Sequence, residues 1–228
     1  MPPRALEPAG VALVDKPRGP SSFAVVAEIR RKTGARTGHA GTLDPFATGL
    51  LLLLSGRTTK LAPRLVGLDK RYVTEIDLSA RTSTGDPEGA IIARQEPPAE
   101  GELAARLELL RGEIELPIPA ASAVKIGGER AYKLARRGVE VEMPLRRSTV
   151  HALDLLAYTD GRVLLDLTVS SGTYIRAIAD ALGGHCVSLR RTEVGPFSVA
   201  DAVTPDAFVP ECLLSEASVL ASLAAGVA

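Results

Sequence analysis

A chain of 228 residues in which 46% are hydrophobic can bury a sizeable core and is too apolar to be disordered, and none of its apolar runs approaches the roughly 20 residues that span a bilayer. Charge balances at 27 basic and 27 acidic side chains, but residues 1–60 hold nine Lys/Arg against four Asp/Glu and residues 125–147 seven against three, whereas residues 75–118 hold four against ten. A net charge of zero therefore does not exclude a nucleic-acid partner, because a basic face can meet phosphates while another stays acidic.

The start, Met1-Pro2-Pro3-Arg4, lacks a secretory apolar segment, and the two cysteines, Cys186 and Cys212, suit a reducing compartment, so a cytoplasmic location is expected. Neither cysteine stands at metal-ligand spacing from His39, His151 or His185, and no metal is expected. Val11 to Asp15 reads as a short buried strand, and Lys16-Pro17-Arg18-Gly19-Pro20 as a turn. Ser21 or Ser22 can cap a helix that runs to Lys32 with Phe23, Val26 and Ile29 at helical spacing and Arg30, Arg31 and Lys32 on its other face. Periodicity then stops over Gly38–Gly49. Glycines there allow close backbone approach and Pro45 pushes Asp44 out of the helical region, so a lone carboxylate is presented on a stiff turn. For an arbitrary Asp-Pro pair, the ordinary reading is an Asx turn in which Asp44 caps its own backbone.

After the run Leu50–Leu54, residues Gly56 to Lys60 form a loop into a short helix with Leu61, Leu65 and Val66 on one side; Lys60 is either a surface lysine or a phosphate contact. Lys70 to Leu78 alternates like a half-buried strand, and Tyr72 in it is ordinarily a packing residue. Ala80–Gly89 is turn-rich, and a helix is expected over Glu102–Leu110 on Leu103, Leu107 and Leu110. Gly127-Gly128 leads into a basic helix over Glu129–Arg137, where Lys125, Arg130, Lys133, Arg136 and Arg137 form the densest basic cluster. Thr149–Ala157 and Arg162–Val169 read as antiparallel partners about Asp160-Gly161. Gly172 and Thr173 start a helix with Ile175, Ile178 and Leu182 inward. Arg176 lies near its N-terminus, where a cation opposes the helix dipole, which implies an anionic partner; Asp180 at i+4 is the ordinary one. His185–Thr192 closes the pattern as a strand, and the alternation of strands and helices suits an α+β fold.

The stretch Gly38-His39-Ala40-Gly41-Thr42-Leu43-Asp44-Pro45-Phe46-Ala47-Thr48-Gly49 resembles the signature loop of the bacterial TruB-type tRNA pseudouridine(55) synthase family. Further segments are similar to that family in the same order: Asp15-Lys16-Pro17 with Ser21-Ser22, Lys70-Arg71-Tyr72, Arg81 to Gly89, Gly172-Thr173-Tyr174-Ile175-Arg176, and Leu189-Arg190-Arg191. Ala121 departs from it, standing where the family usually has tyrosine. The resemblance implies a pseudouridine synthase fold, with a mixed, largely antiparallel central sheet flanked by helices. It also implies isomerisation of uridine to pseudouridine at position 55 in the T loop of tRNA, with an aspartate nucleophile and a flipped-out base. On this basis Asp44 is the nucleophile and Arg176 its cationic partner. His39 helps to expel the uridine, Tyr72 and Tyr174 lie against the base, Leu189 lines the pocket, Lys16 and its turn support the loop and lie near RNA, and Lys60 is a phosphate contact. The partner expected is the T arm of tRNA, with no cofactor, no metal, no membrane and a monomeric enzyme. Residues 1–198 are expected to form the catalytic domain. Residues 199–228 are expected to form a short C-terminal extension, in place of the further RNA-binding domain of longer members. The rivals are a non-catalytic RNA-binding module and an aspartate-dependent glycosidase or phosphotransferase. The second lacks both a phosphate-cradling glycine loop and a second carboxylate in the central motif.

Overall fold

Glycine, proline and serine punctuation cuts the chain into thirteen strands and five α-helices among the residues described by the computed structural model, which are 8–226 apart from 123, 132, 133, 135, 136, 138 and 140. The first stretch runs β1 (Gly10–Lys16), α1 (Ser22–Thr33), β2 (Thr37–His39), β3 (Thr48–Ser55), α2 (Ala62–Val66) and β4 (Lys70–Asp77). Then come β5 (Ala80–Thr82), β6 (Ile91–Arg94), α3 (Glu100–Glu108), β7 (Gly112–Pro117), β8 (Lys125–Ile126), β9 (Glu129–Arg130), β10 (Leu145–Thr159) and β11 (Arg162–Val169). The chain closes with α4 (Ile175–Ala181), β12 (His185–Val194), β13 (Phe197–Ser198) and α5 (Glu216–Ala225). The class is α+β with a mixed, largely antiparallel sheet, as the sequence implied. No helix among the described residues is long and apolar enough to cross a membrane.

Two compact units emerge, residues 1–72 with 190–228 and residues 73–189. In the first, β3 is the organising strand. The leucine run is buried on both faces because β3 pairs antiparallel with β1 through Gly10↔Ser55 to Lys16↔Gly49, pairs with β2 at its far end, and meets β12 in parallel at Arg190↔Thr48 and Arg191↔Gly49. Val11, Leu52, Leu54, Leu61 and Leu65 form a core with Val219 and Leu223 of α5, and Leu214 and Val203 bridge to β1, so residues after 198 pack as part of this unit. In the second, the strand order is β12-β4-β11-β10-β7. The β10–β11 hairpin turns on Asp160 and Gly161, both at positive φ (51° and 77°), as a two-residue turn matched to strand twist requires.

Four local expectations are corrected. In α1 the buried positions are Ser22, Val25, Ile29 and Thr33, and Phe23 is 65% exposed. The phase is set by Ser21, which accepts the Ala24 amide as N-cap, and by Ser22, which turns inward to a loop. Lys16 ends β1 rather than opening the turn, and its side chain is fully buried. The basic helix does not begin at Glu129: Gly127 and Gly128 both take positive φ and make a tight hairpin pairing Lys125 with Arg130 and Ile126 with Glu129. Lys133 and Arg136 of the basic cluster lie outside the described residues, and Arg137 pairs with Glu129 at 2.7 Å. Val66 also differs, being exposed while Leu61 and Leu65 are buried.

Candidate functional site

The loop between β2 and β3 is held by polar groups that reach it from other elements of the first unit. Ala40 donates to the Leu52 carbonyl at 2.9 Å, which ends the β2 pairing. Ser22 Oγ donates to the Leu43 carbonyl and accepts the Leu43 amide, both at 2.8 Å, so one hydroxyl satisfies both backbone groups of the residue before Asp44. Lys16 Nζ donates to the carbonyls of Ala47 at 2.6 Å, Pro45 at 3.2 Å and Pro17 at 2.9 Å, and Gly19 donates to Pro45 at 2.8 Å. A charge-assisted bond to a carbonyl, made away from water, is worth more than a neutral one. Asp44 is half-buried, its carbonyl accepting the Ala47 amide at 3.1 Å, between buried Leu43 and Phe46.

His39 ends β2 with its ring edge-on to Phe23, centroids 5.2 Å apart. Its Nδ1 is buried with no hydrogen-bond partner, and burial, followed by the Arg191 guanidinium, holds the imidazole below its usual pKa, which favours the uncharged ring. Beside it a cavity of about 220 Å³ is lined by Arg36, Thr37, Gly38, Leu54 and Thr59. Tyr72 is buried on the same face of β4 as Lys70, whose ammonium donates to Val66 at 2.6 Å and to Leu68. Burial, then the nearby Arg191, lowers Lys70 to about 8. Lys60 is largely exposed and pairs with Glu216 at 2.9 Å.

In the second unit Arg176 sits in the first turn of α4 with 4% of its side chain exposed. Its guanidinium donates to the Thr84 carbonyl at 2.8 Å and the Ala121 carbonyl at 2.9 Å, and lies 3.5 Å from Asp86 Oδ2. Asp86 is itself fixed by Thr84 Oγ1 at 2.6 Å and the Glu88 amide at 3.0 Å. Asp180, the partner suggested by i+4 spacing, is bound instead by Arg81 at 2.6 Å. Tyr174 precedes α4 as a half-buried ring lining a small hollow with Gly172, Thr173, Ile114 and Arg146, and Leu189 is buried in β12. Ala121 accepts from Arg176 through its backbone carbonyl, a bond that does not depend on its side chain, and Ser122 Oγ is buried without a partner. Among the described residues, no group of three or more His, Cys, Asp or Glu is placed to hold a metal ion.

Asp44, His39, Lys16, Lys60 and Tyr72 thus belong to the first unit, and Arg176, Tyr174 and Leu189 to the second. Sequence reasoning missed three of the holding groups. Ser22 was read as a helix cap, and Asp86 as part of a turn. Arg191 was read only as one letter of a strand motif, yet it is 1% exposed.

Comparison with known proteins gives a consistent set. The model described as "TruB family pseudouridylate synthase (N terminal domain)" matches residues 30–175. The chain is 45% identical over 229 residues to the tRNA pseudouridine synthase B of Leifsonia xyli subsp. xyli, covering 93% of this chain and 76% of that one. It is 42% identical over 209 residues to the tRNA pseudouridine synthase B of Bordetella avium, covering 87% and 86% respectively. Among solved structures, a Cbf5-Nop10-Gar1 complex superposes with a TM-score of 0.67 at 28% identity over 86% of this chain and 52% of that one. An H/ACA ribonucleoprotein bound to a substrate RNA containing 2′-deoxyuridine superposes with a TM-score of 0.64 at 25% identity over 87% of this chain and 51% of that one. The chain spans about half the length of these two solved chains.

Proposed function

The chain belongs to the TruB family of pseudouridylate synthases, and on that premise we propose that it acts on a uridine in the T loop of tRNA, position 55, with Asp44 as nucleophile on a flipped-out base. It is a pseudouridine synthase, an isomerase that converts uridine to pseudouridine in tRNA. The reaction breaks the N1–C1′ glycosidic bond, turns the uracil, and forms a C5–C1′ bond. C5 loses its proton and N1 gains one, so atoms balance without an oxidant.

The observation that carries the assignment of Asp44 is its setting: a carboxylate on a turn whose neighbouring backbone groups are taken by Ser22 and Lys16. Such a turn presents its side chain in one orientation, and orientation is the larger part of what a nucleophile needs. A carboxylate withdrawn from water tends to protonate, and an arginine, charged at all working pH, opposes this. Arg176 is assigned that role; its fork is oriented by Thr84, Ala121 and Asp86 within its own unit. His39, uncharged, offers a flat ring that helps to expel the uridine, while Tyr72 and Tyr174 lie against the base and Leu189 lines its pocket. Unstacking costs a few kcal/mol and is least in a loop, which suits a T-loop target. Lys16 supports the loop close to RNA, and Lys60 is assigned a phosphate contact. We take the working species to be a cytoplasmic monomer, with residues 1–198 as the catalytic part.

The test uses purified protein and unmodified tRNA transcript. Asp44→Asn is expected to abolish pseudouridine formation while tRNA binding survives; unchanged activity in that variant refutes the assignment. Mapping pseudouridine in total tRNA from cells lacking the protein tests the position, which is expected to stay unmodified at T-loop site 55. A module that binds tRNA without modifying it would leave that map unchanged.

A further inference from the structure

We infer that Arg191 is a positioning residue of this enzyme, one that fastens the loop carrying Asp44 at both of its ends. The inference rests on the assignment of Asp44 as nucleophile. Arginine is almost never fully buried unless paired, and taking its charge out of water is costly. Yet Arg191 is among the largest fully buried side chains of the chain, and no acid among the described residues pairs with it. An apolar side chain would fill the same volume without that desolvation, so the position uses something that only a guanidinium supplies.

What it supplies is a two-pronged donor. Nε donates to the Leu50 carbonyl at 2.7 Å, and Nη2 donates to the Gly41 carbonyl at 3.1 Å. Gly41 opens the loop and Leu50 follows its last glycine, so one rigid fork bridges entry and exit. Gly41 takes φ 97°, a backbone that favours glycine, and the closest approach is at the other glycine. Gly49, at φ 101°, would carry a Cβ 2.2 Å from the Arg191 carbonyl oxygen, so the strand bearing Arg191 can approach only where that carbon is missing. Lysine at position 191 would place one ammonium where two divergent donors are needed. Asp44 lies three residues after the fastened Gly41, and releasing that end lets the carboxylate wander from its attacking geometry.

The experiment follows tritium released from tRNA transcript labelled as [5-³H]uridine, in single turnover with enzyme in saturating excess. A residue that only stabilises the fold changes the folded fraction; with enzyme in excess this leaves the rate constant alone. For Arg191→Met that rate constant is expected to fall about 10- to 100-fold, as for groups that orient a reacting side chain, and for Arg191→Lys by less. The Kd for tRNA is expected to stay within about twofold in both, because Arg191 reaches no solvent-facing surface. In hydrogen exchange, the amides from Gly41 to Ala47 are expected to open faster in Arg191→Lys while those of β1 keep their protection. A folded Arg191→Met with a rate constant within about twofold of wild type overturns the inference. Should that variant not fold, a wild-type rate and unchanged exchange in Arg191→Lys overturn it equally. Asp44→Asn runs alongside. Full activity there sinks the parent assignment, whereas an inactive Asp44→Asn beside an undiminished Arg191 variant sinks this inference alone.

Discussion

Replacing Gly49 by alanine adds one methyl group where two strands meet by backbone alone. At φ 101° an L side chain is strained, which costs about 1–2 kcal/mol. The added Cβ would stand 2.2 Å from the carbonyl oxygen of Arg191, 2.8 Å from its amide nitrogen and 2.9 Å from its carbonyl carbon. None of these can rotate away as a side-chain tip would, so the parallel contact Arg191↔Gly49 has to open, and overpacking of this kind adds about 1–3 kcal/mol. The sum, about 2–5 kcal/mol, is a large part of the stability of an ordinary domain and short of all of it. In urea unfolding followed by far-ultraviolet circular dichroism, the midpoint is expected to fall by roughly 1–2 M. Gly38→Ala is the control: nothing lies within 4 Å of its added carbon and its φ is not positive, so its cost is expected below about 0.5 kcal/mol. A loss under about 1 kcal/mol for Gly49→Ala, or equal losses in the two variants, would show that the close approach is not what position 49 requires.

Ser22→Ala removes the hydroxyl that serves both backbone groups of Leu43 and is expected to cost about 1–3 kcal/mol in the same unfolding assay and to slow single turnover; a loss below about 0.5 kcal/mol would mean that water takes over both bonds. Lys60→Ala breaks an exposed pair with Glu216 and should change stability by less than about 1 kcal/mol. If Lys60 meets a phosphate, the slope of log K for tRNA against log salt drops by about one; an unchanged slope removes it from the RNA-contacting set. Lys70, lowered to about 8 from 10.5, binds fewer protons folded than unfolded between those values, so its charge costs stability below pH 8 and the cost fades as pH rises to 10.5. The stability difference between wild type and Lys70→Met is therefore expected to move in favour of wild type from pH 8 to pH 10.5, and a constant difference would contradict the burial of a depressed ammonium.

Much of the local structure was legible because it depends on neighbours in sequence. Residues 160 and 161 make the β10–β11 turn because aspartate and glycine tolerate positive φ, and Ser21 caps α1 because its hydroxyl meets an amide three residues on. The face of α1 was misread because Phe23, Val26 and Ile29 fit a helical stripe as well as Val25 and Ile29 do. Ser22 reaches inward to Leu43 and settles the phase, leaving Phe23 against His39. The helix expected at Glu129 gives way to a hairpin for a local reason, the Gly127-Gly128 pair. Of the candidate site, the carboxylate loop was visible as a break in periodicity flanked by glycines. Of the groups that hold it, Lys16 was implied by the resemblance, whereas Ser22 and Arg191, which arrive from 21 and 150 positions away, were not.

Taken alone, the order of residues placed most of the turns and element breaks and, through its resemblance, gave the family and the proposal of Asp44 as its acid. Only the tertiary structure decided which charged side chains leave water. Lys16 and Arg191 carry nothing in their local sequence to mark them off from surface lysines and arginines, and Arg176 is marked only by a helix position that asks for an anion. A buried cation is tolerable only where carbonyl or carboxylate oxygens converge on it, and that convergence is a property of the folded backbone, absent until the strands have paired.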